Sequence, residues 1–236
     1  MIRKDLMMDK RGLSHVEMIL SFVIFFSFLM FVYIYLVPHI KIVPDYPSLN
    51  NAEKLIIKHV EMNVDFFSLA LNVTKFKDCF SVDNFGTLNW NVLVKNKDGE
   101  TVSSQIAGIL RISLSGNFYY IYFSEDFEAS SDDLNGCGKL DFTKGEYELG
   151  SKRSETWASF EKLKRLNESY NADYAGLKET LGIKQDFAFS LTSSSGEVLI
   201  KADREKPVKN VLAKESVAKV YNKNNIENDV LTILVW

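Results

Sequence analysis

An uncharged run of twenty residues, from Met18 to Val37, constrains this chain more than any other feature. Its residues are nearly all apolar, and only Ser21 and Ser27 carry polar side chains without an aromatic ring. An α-helix rises about 1.5 Å per residue, so the run would extend about 30 Å, the thickness of the hydrocarbon core of a bilayer. We therefore predict a membrane-spanning helix, because the core helix of a soluble domain is usually shorter and keeps a polar face.

The charges that precede this run predict its orientation. Four basic residues stand against two acidic ones: Arg3, Lys4, Lys10 and Arg11 against Asp5 and Asp9. Positively charged flanks stay in the cytoplasm, so we expect the N-terminus inside and residues 38–236 outside. A cleaved secretory signal fits poorly, because its apolar core has ~7–15 residues and is followed by a site with small side chains. This run instead ends in Tyr35-Leu36-Val37-Pro38-His39.

A short motif leads into the apolar run. Gly12 follows Lys10-Arg11, Ser14 is the second residue after it, and Glu17 is the fifth. This arrangement, joined to the apolar run, resembles the class III signal of type IV pilins, pseudopilins and archaeal pilin-like proteins. The resemblance covers roughly the first forty residues.

The resemblance implies processing and assembly. A prepilin peptidase-like protease would cut between Gly12 and Leu13 on the cytoplasmic side and leave the helix in the mature chain. Glu17 would match the family's acidic residue, which is thought to pair with the new N-terminal amine of a neighbouring subunit. A carboxylate at the start of an apolar helix does need a partner, since it is costly in lipid. Ser14 and Glu17 also have the spacing of an S-x-x-E capping box, and the sequence leaves both roles open.

The resemblance and the three prolines after the apolar run together divide the chain into four predicted parts. They are a cytoplasmic leader at 1–12, a transmembrane and assembly helix at 13–37, a Pro-containing stalk at 38–47 and an extracytoplasmic head at 48–236. In the family the helix normally continues into the head, whereas here Pro38, Pro44 and Pro47 would interrupt it. The interruption and the large head favour a minor pilin or pseudopilin over the bulk subunit of a filament.

The composition limits the partners of the head. The formal net charge is −3, and removing residues 1–12 would take away four basic and two acidic side chains. An acidic head without basic clusters argues against binding to nucleic acid. The apolar helix predicts the lipid bilayer as a partner, and the resemblance implies a prepilin peptidase-like protease and other pilin-like subunits.

Hydrophobic periodicity predicts an α+β head with an antiparallel sheet and one long amphipathic helix. That helix runs from Trp157 to Leu181 and ends at Gly182, and a shorter helix follows Ser48 with His59 on its apolar side. Asp98-Gly99 predicts a two-residue hairpin turn, and Ser115-Gly116-Asn117 a second hairpin. Residues 222–229 are predicted to be a loop before a final strand with Trp236 buried. Strands are predicted at 64–76, 90–95, 100–106, 109–114, 118–123, 186–191, 197–202, 211–221 and 230–236.

Cys79 and Cys137 are the only cysteines, and both lie on the side expected to be oxidising. Each is next to turn residues, so we predict that they form a disulfide, with two separate thiols as the alternative. Asn72 and Asn167 begin glycosylation sequons, which are weak signals because such triplets arise by chance.

The sequence offers little for catalysis, a metal or a cofactor, and we predict none of them. The three His are scattered, and the motifs of zinc proteases, P-loops and dinucleotide-binding folds are absent. The acidic loop Asp126–Gly138 lacks EF-hand spacing and is predicted to be solvated. Two other functions stay open. One is a non-assembling anchored module that contacts carbohydrate or surface proteins through a Tyr-rich hairpin (Tyr119, Tyr120, Tyr122), and the other is an anchored hydrolase that uses His59.

Overall fold

The fold is taken from a computed structural model that describes residues 10–36, 47–83, 90–130, 133–205 and 210–236. The chain divides into two compact units, Met1–Asp45 and Tyr46–Trp236. Most of the predicted leader and all of the predicted stalk except Pro47 lie outside the described residues.

The first unit contains one helix, α1 (Lys10–Leu36), within its described residues. Its segment His15–Tyr35 has a mean hydropathy of 2.4 and is not buried inside the protein. The predicted apolar helix is therefore confirmed, and it is long and apolar enough to cross a membrane. In the uncleaved chain Ser14 is not an N-cap, because the helix begins at Lys10 and places Ser14 in its second turn. The capping box stays a prediction for a chain cut after Gly12. Lys, Arg and Leu are good helix formers and extend the helix toward the N-terminus.

The second unit is α+β and has two sheets, with helices α2 (Pro47–Val60), α3 (Phe160–Ala172) and α4 (Tyr174–Leu181). Strands are numbered in chain order. Within the described residues, the large sheet has ten strands: β1 (Glu61–Leu71), β3 (Asn91–Asn96), β4 (Thr101–Val102), β7 (Phe118–Ser124), β9 (Tyr147–Leu149), β10 (Arg153–Ser159), β11 (Phe187–Thr192), β12 (Val198–Ala202), β13 (Leu212–Asn222) and β14 (Asn225–Val235). The small sheet has four: β2 (Cys79–Val82), β5 (Ser104–Ile106), β6 (Leu110–Ser113) and β8 (Gly138–Lys139).

Both sheets are mostly antiparallel. The large sheet has the order β12-β11-β14-β13-β10-β1-β7-β3-β4, with β9 also paired to β1, and the small sheet has the order β5-β6-β2-β8. Among the described strands, only β10 with β13 and β2 with β8 run parallel. The large sheet curls, and the Thr101 hydroxyl of its edge strand donates to the Asn224 carbonyl in the β13–β14 turn (3.2 Å).

Residues that pair across neighbouring strands point to the same face of a sheet, so the strand register shows on which face of the large sheet each of the three core clusters lies. The convex face packs against the helices through Ala158 and against the small sheet through Phe67 and Leu69. The opposite, concave face carries a third cluster around Trp157 and Tyr221, which Phe127 covers. Helices and small sheet therefore lie side by side on one face.

The prediction of one continuous helix at 157–181 is wrong. Trp157 belongs to β10, and Asp173 separates α3 from α4. The Asp173 amide donates to the Ser169 carbonyl (2.9 Å), and its carboxylate accepts from the Gly176 amide (3.0 Å), so one residue ends α3 and caps α4. Gly182 is the predicted C-cap, and the apolar stripe packs on the convex face as predicted.

Of the two predicted hairpins, the first forms and the second does not. After β3, the chain forms a turn at Lys97-Asp98 followed by Gly99 at φ +83°, and the return strand β4 pairs for two residues before the chain crosses to the small sheet. The second hairpin is wrong, because β6 pairs in the small sheet and β7 in the large one. The Tyr119 hydroxyl accepts from the Ser115 amide (2.8 Å) and donates to the Gly116 carbonyl (2.9 Å), which holds this crossing between sheets.

The C-terminal strands differ from the prediction at their turn. The predicted loop at 222–229 is a two-residue turn, with positive φ at Lys223 and Asn224, between eleven-residue strands. Trp236 is half-buried rather than buried, and its backbone pairs with Asp186 (3.0 and 3.1 Å). His59 is exposed on α2 rather than packed at the edge of the core.

Asp229 is a buried carboxylate on the convex face, with 2% of its surface exposed. Its Oδ1 atom is the one buried side-chain oxygen or nitrogen without a hydrogen-bond partner among the described residues. Burial raises the pKa of Asp229 above its ordinary value of 3.8, and the Glu227 charge raises it further, although the Ser194 amide opposes the shift. The folded protein therefore holds this proton more tightly than the unfolded chain does.

We expect Asp229→Asn to stabilise the folded protein at pH 7 by about 1–2 kcal/mol, since it removes a buried charge that lacks a full set of partners. Because the pKa of Asp229 is raised in the folded state, the free energy of unfolding of the wild-type falls as the pH rises from the ordinary Asp pKa through the raised one. Below that interval Asp229 is protonated in both states and does not change this free energy with pH. The difference in free energy of unfolding between the variant and the wild-type, measured by urea unfolding, should therefore grow from pH 4 to pH 7. The exposed Glu227→Gln is the control and should change stability less. A less stable Asp229→Asn at pH 7 would contradict the expectation.

Candidate functional site

The predicted processing and assembly residues all lie on α1. Gly12, Leu13 and Ser14 have helical backbone, and Glu17 follows with an exposed side chain. Glu17 is the only acidic residue of α1. The apolar side chains around it are exposed on every side of the helix, from Val16 at 65% to Tyr35 at 62%. This helix therefore presents an apolar surface that its own unit does not cover, with one carboxylate near its beginning.

The structure brings Cys79 and Cys137 to disulfide distance, with their Cα atoms 4.9 Å apart. Cys79 begins β2 and Cys137 precedes β8, and these strands pair in parallel through Phe80 and Gly138. The ring of Phe76 occupies the space where a Cβ on Gly138 would lie, so only glycine allows this close approach. A bridge here would tie the loop after β1 to the segment that leads into β8.

The two sequon asparagines lie in different surroundings. Asn72 is exposed just after β1, and its side-chain amide donates to the Gly145 carbonyl and to Glu148 (both 3.2 Å). Asn167 lies within α3, where its side-chain amide oxygen Oδ1 accepts a hydrogen bond from the Asn171 side-chain amide (3.3 Å). Both side chains are already engaged in hydrogen bonds, and glycosylation of either one stays a prediction.

The three Tyr of the predicted aromatic hairpin point to both faces of the large sheet. Tyr119 is fully buried on the convex face beside Phe80, with ring centroids 5.3 Å apart. Tyr122 lies on the concave face between Phe66 (5.5 Å) and Trp157 (5.3 Å). Tyr120 shares that face and is 37% exposed. Fewer of these Tyr side chains are therefore accessible to a partner than the sequence suggests.

A polar cleft of about 500 Å³ lies where residues between Lys139 and Tyr147 meet Lys75 and Asp83, and the sequence alone gives no sign of it. It is lined by three lysines and three carboxylates, each lysine paired with one acid: Lys75 with Glu146, Lys139 with Asp83, and Lys144 with Asp141. The rings of Phe142 and Tyr147, with centroids 5.6 Å apart, also line it, and Leu140 and Thr143 complete its wall. We call this set of ten residues the polar cleft.

The charges of the polar cleft are fixed by its hydrogen bonds. The Lys75 ammonium lowers the pKa of Glu146, and the Asp141 amide, which donates to the same carboxylate (2.9 Å), lowers it further. Hydrogen bonds from Thr143 lower the pKa of Asp141. Burial raises the pKa of the Tyr147 hydroxyl, and the nearby charges of Asp83 and Asp141 raise it further, so this hydroxyl stays protonated. At neutral pH the six charges cancel.

Residues considered for catalysis and metal binding are not assembled into a centre. His59 lies beside Ser169 and Asp173 in an open depression of about 480 Å³, but no hydrogen bond joins it to either residue. Within the described ranges, no group of three or more His, Cys, Asp or Glu residues is arranged to hold a metal ion. In the acidic loop, Asp133 accepts a hydrogen bond from Asn135 (2.8 Å), and Asp132 lies outside the described residues.

No protein-family model, no curated protein and no solved structure matches this chain. The structure itself defines an α+β protein with an N-terminal helix long and apolar enough to span a bilayer.

Proposed function

We propose that this chain is a pilin-like surface subunit, a minor pilin or pseudopilin in a type IV filament-like assembly. In this proposal α1 anchors the protein with its head outside the cytoplasm, and a prepilin peptidase-like protease removes residues 1–12. The observation that carries the proposal is α1 itself, apolar around its whole circumference and with Glu17 as its single acidic residue. Such a surface requires lipid or like helices as its surroundings.

The proposed mechanism follows from the charges that cleavage would create. Cutting after Gly12 would leave a positive amine on Leu13, which lies four residues, about one helical turn, before Glu17. An amine and a carboxylate are each costly in lipid when alone, and each can satisfy the other. A neighbouring helix that places its amine beside Glu17 would therefore fix the register between subunits. The remaining apolar side chains would pack against like helices.

The alternative is an anchored binding module that does not assemble, and one observation favours it. Tyr120 and Phe118 form an edge-to-face pair (5.1 Å) on the concave face, and Tyr120 is partly exposed. Exposed aromatic groups are common in contact surfaces. Under this alternative α1 is an anchor only, and Glu17 has no partner in another subunit.

The proposed orientation predicts a defined result of protease treatment of intact cells. No Lys or Arg lies between Arg11 and Lys41, so trypsin cannot cut the part of α1 that follows Arg11. Trypsin added from outside should release the head into the medium by cleavage at or beyond Lys41 and leave α1 in the membrane fraction. Opened cells are the control. The orientation is wrong if the head is released only after the cells are opened.

A further inference from the structure

We propose that the polar cleft binds a neutral sugar residue. This inference concerns the head alone and does not depend on whether the subunit assembles. The cleft has a volume of about 500 Å³, within the roughly 300–1,000 Å³ typical of small-molecule sites, and ion-paired side chains line it together with Leu140, Phe142 and Tyr147. The occupant should therefore offer hydrogen-bonding groups, an apolar face and no net charge.

The charge pattern argues for a neutral ligand. Each of the three lysines is paired with a carboxylate of the same cleft, so an incoming anion or cation meets no net field. Ammonium groups donate hydrogen bonds and carboxylates accept them. A sugar hydroxyl both donates and accepts, so adjacent hydroxyls of a pyranose ring can pair with both kinds of group. Glu146, only 8% exposed, anchors this arrangement at the base of the cleft.

Phe142 supplies the apolar contact that a sugar ring requires. Its side chain is 64% exposed, which is unusual for Phe, yet its backbone is held in a short 3-10 turn. Asp141 caps the start of that turn and Gly145 ends it, with the Gly145 amide donating to the Phe142 carbonyl (3.0 Å). The C–H face of a pyranose fits the electron-rich face of an aromatic ring. Because the backbone that carries this ring is already held, binding requires little further ordering of the chain.

Tyr147 provides a free donor inside the cleft. The residue is 7% exposed, and its hydroxyl has no hydrogen-bond partner among the described residues. Burial and the charges of Asp83 and Asp141 raise the pKa of this hydroxyl, so it keeps the proton that it can donate. This hydroxyl is open to the cleft, so it can exchange a hydrogen bond with a ligand hydroxyl.

Saturation-transfer NMR on the full chain tests the inference. The protein is placed in phosphatidylcholine nanodiscs, since detergents with sugar headgroups would compete. The probes are glucose, galactose, mannose and their N-acetylated amino forms, with glucuronate and inorganic phosphate as charged comparisons. We expect at least one neutral sugar to bind, and we expect Phe142→Ala and Tyr147→Phe each to raise its Kd roughly fivefold or more.

Tyr120→Ala is the matched control, because it removes an exposed aromatic side chain from the other face of the large sheet. It should leave the Kd unchanged. Phe142 is exposed, so its variant keeps the fold and the test stands even if Tyr147→Phe is unstable. The proposal is overturned if no neutral sugar binds, if only phosphate or glucuronate binds, or if Tyr120→Ala abolishes binding while Phe142→Ala does not.

Discussion

Glu17→Ala should abolish co-assembly of this subunit while leaving it in the membrane. In the proposed register, Glu17 neutralises the N-terminal amine of a neighbouring subunit, and its removal leaves that amine unpaired among apolar helices. A charge without a partner at membrane depth costs on the order of 2–3 kcal/mol. The yield of subunit recovered with an affinity-tagged copy should therefore fall at least roughly tenfold.

Two variants of the same helix serve as controls for this experiment. Glu17→Asp keeps the charge and should retain part of the co-assembly. Ser21→Ala lies one turn further along α1 without changing any charge, and it should behave as wild-type. If Glu17→Ala is recovered with the tagged copy as well as wild-type, the assembly mechanism is wrong and the anchored-module alternative is favoured. Loss of the protein from the membrane fraction would contradict the purely interfacial role of Glu17.

Loss of the Cys79–Cys137 bridge has the second largest expected effect. The cysteines are 58 residues apart in sequence, so a disulfide restricts a large part of the unfolded chain. Such bridges contribute about 2–4 kcal/mol to the free energy of unfolding. The doubly substituted Cys79→Ser, Cys137→Ser chain should unfold at a correspondingly lower urea concentration, as measured by the fluorescence of the buried Trp157.

Reduction provides the matched control for the disulfide prediction. Dithiothreitol should lower the stability of the wild-type head to that of the double variant and leave the double variant unchanged. Reduction should also weaken the binding of any ligand to the polar cleft, because the bridge joins two of the segments that line the cleft. Two free thiols in the exported protein, detected by mass spectrometry without reductant, would contradict the bridge.

Local sequence signals predicted the elements whose structure depends on local interactions. The apolar run from Met18 to Val37 specified most of α1, and the strands at 186–191, 197–202 and 211–221 lie within about one residue of β11, β12 and β13. Gly182 marked the end of α4 because a left-handed residue is needed there. In each case the period of apolar residues or a single cap residue was sufficient to predict the element or its end.

Three features that the spacing of apolar residues does not show explain the wrong predictions, and only the second of them depends on distant residues. The apolar spacing is continuous through Asp173, but this side chain bonds the Gly176 amide and starts a new helix. Residues 115–117 look like a hairpin turn, yet β6 finds its partners in the small sheet. The turn at Lys223-Asn224 lies within a polar run without glycine, which hid it.

The polar cleft could not be predicted from sequence, because its residues come from three separate segments. Lys75 follows β1, Asp83 follows β2, and the remaining residues lie between Lys139 and Tyr147. Each residue alone is typical of a solvated surface. Only the pairing of β2 with β8 and of β9 with β1 brings their side chains together. By contrast, the motif around Gly12 and Glu17 is contiguous and can be read directly.

Sequencing the N-terminus of the protein purified from its native membrane tests the central claim most directly. The assembly account predicts that the mature chain begins at Leu13, and that a bulky substitution such as Gly12→Val leaves the chain beginning at or near Met1. A native wild-type chain that still begins at Met1, or that begins beyond Val37, would contradict it.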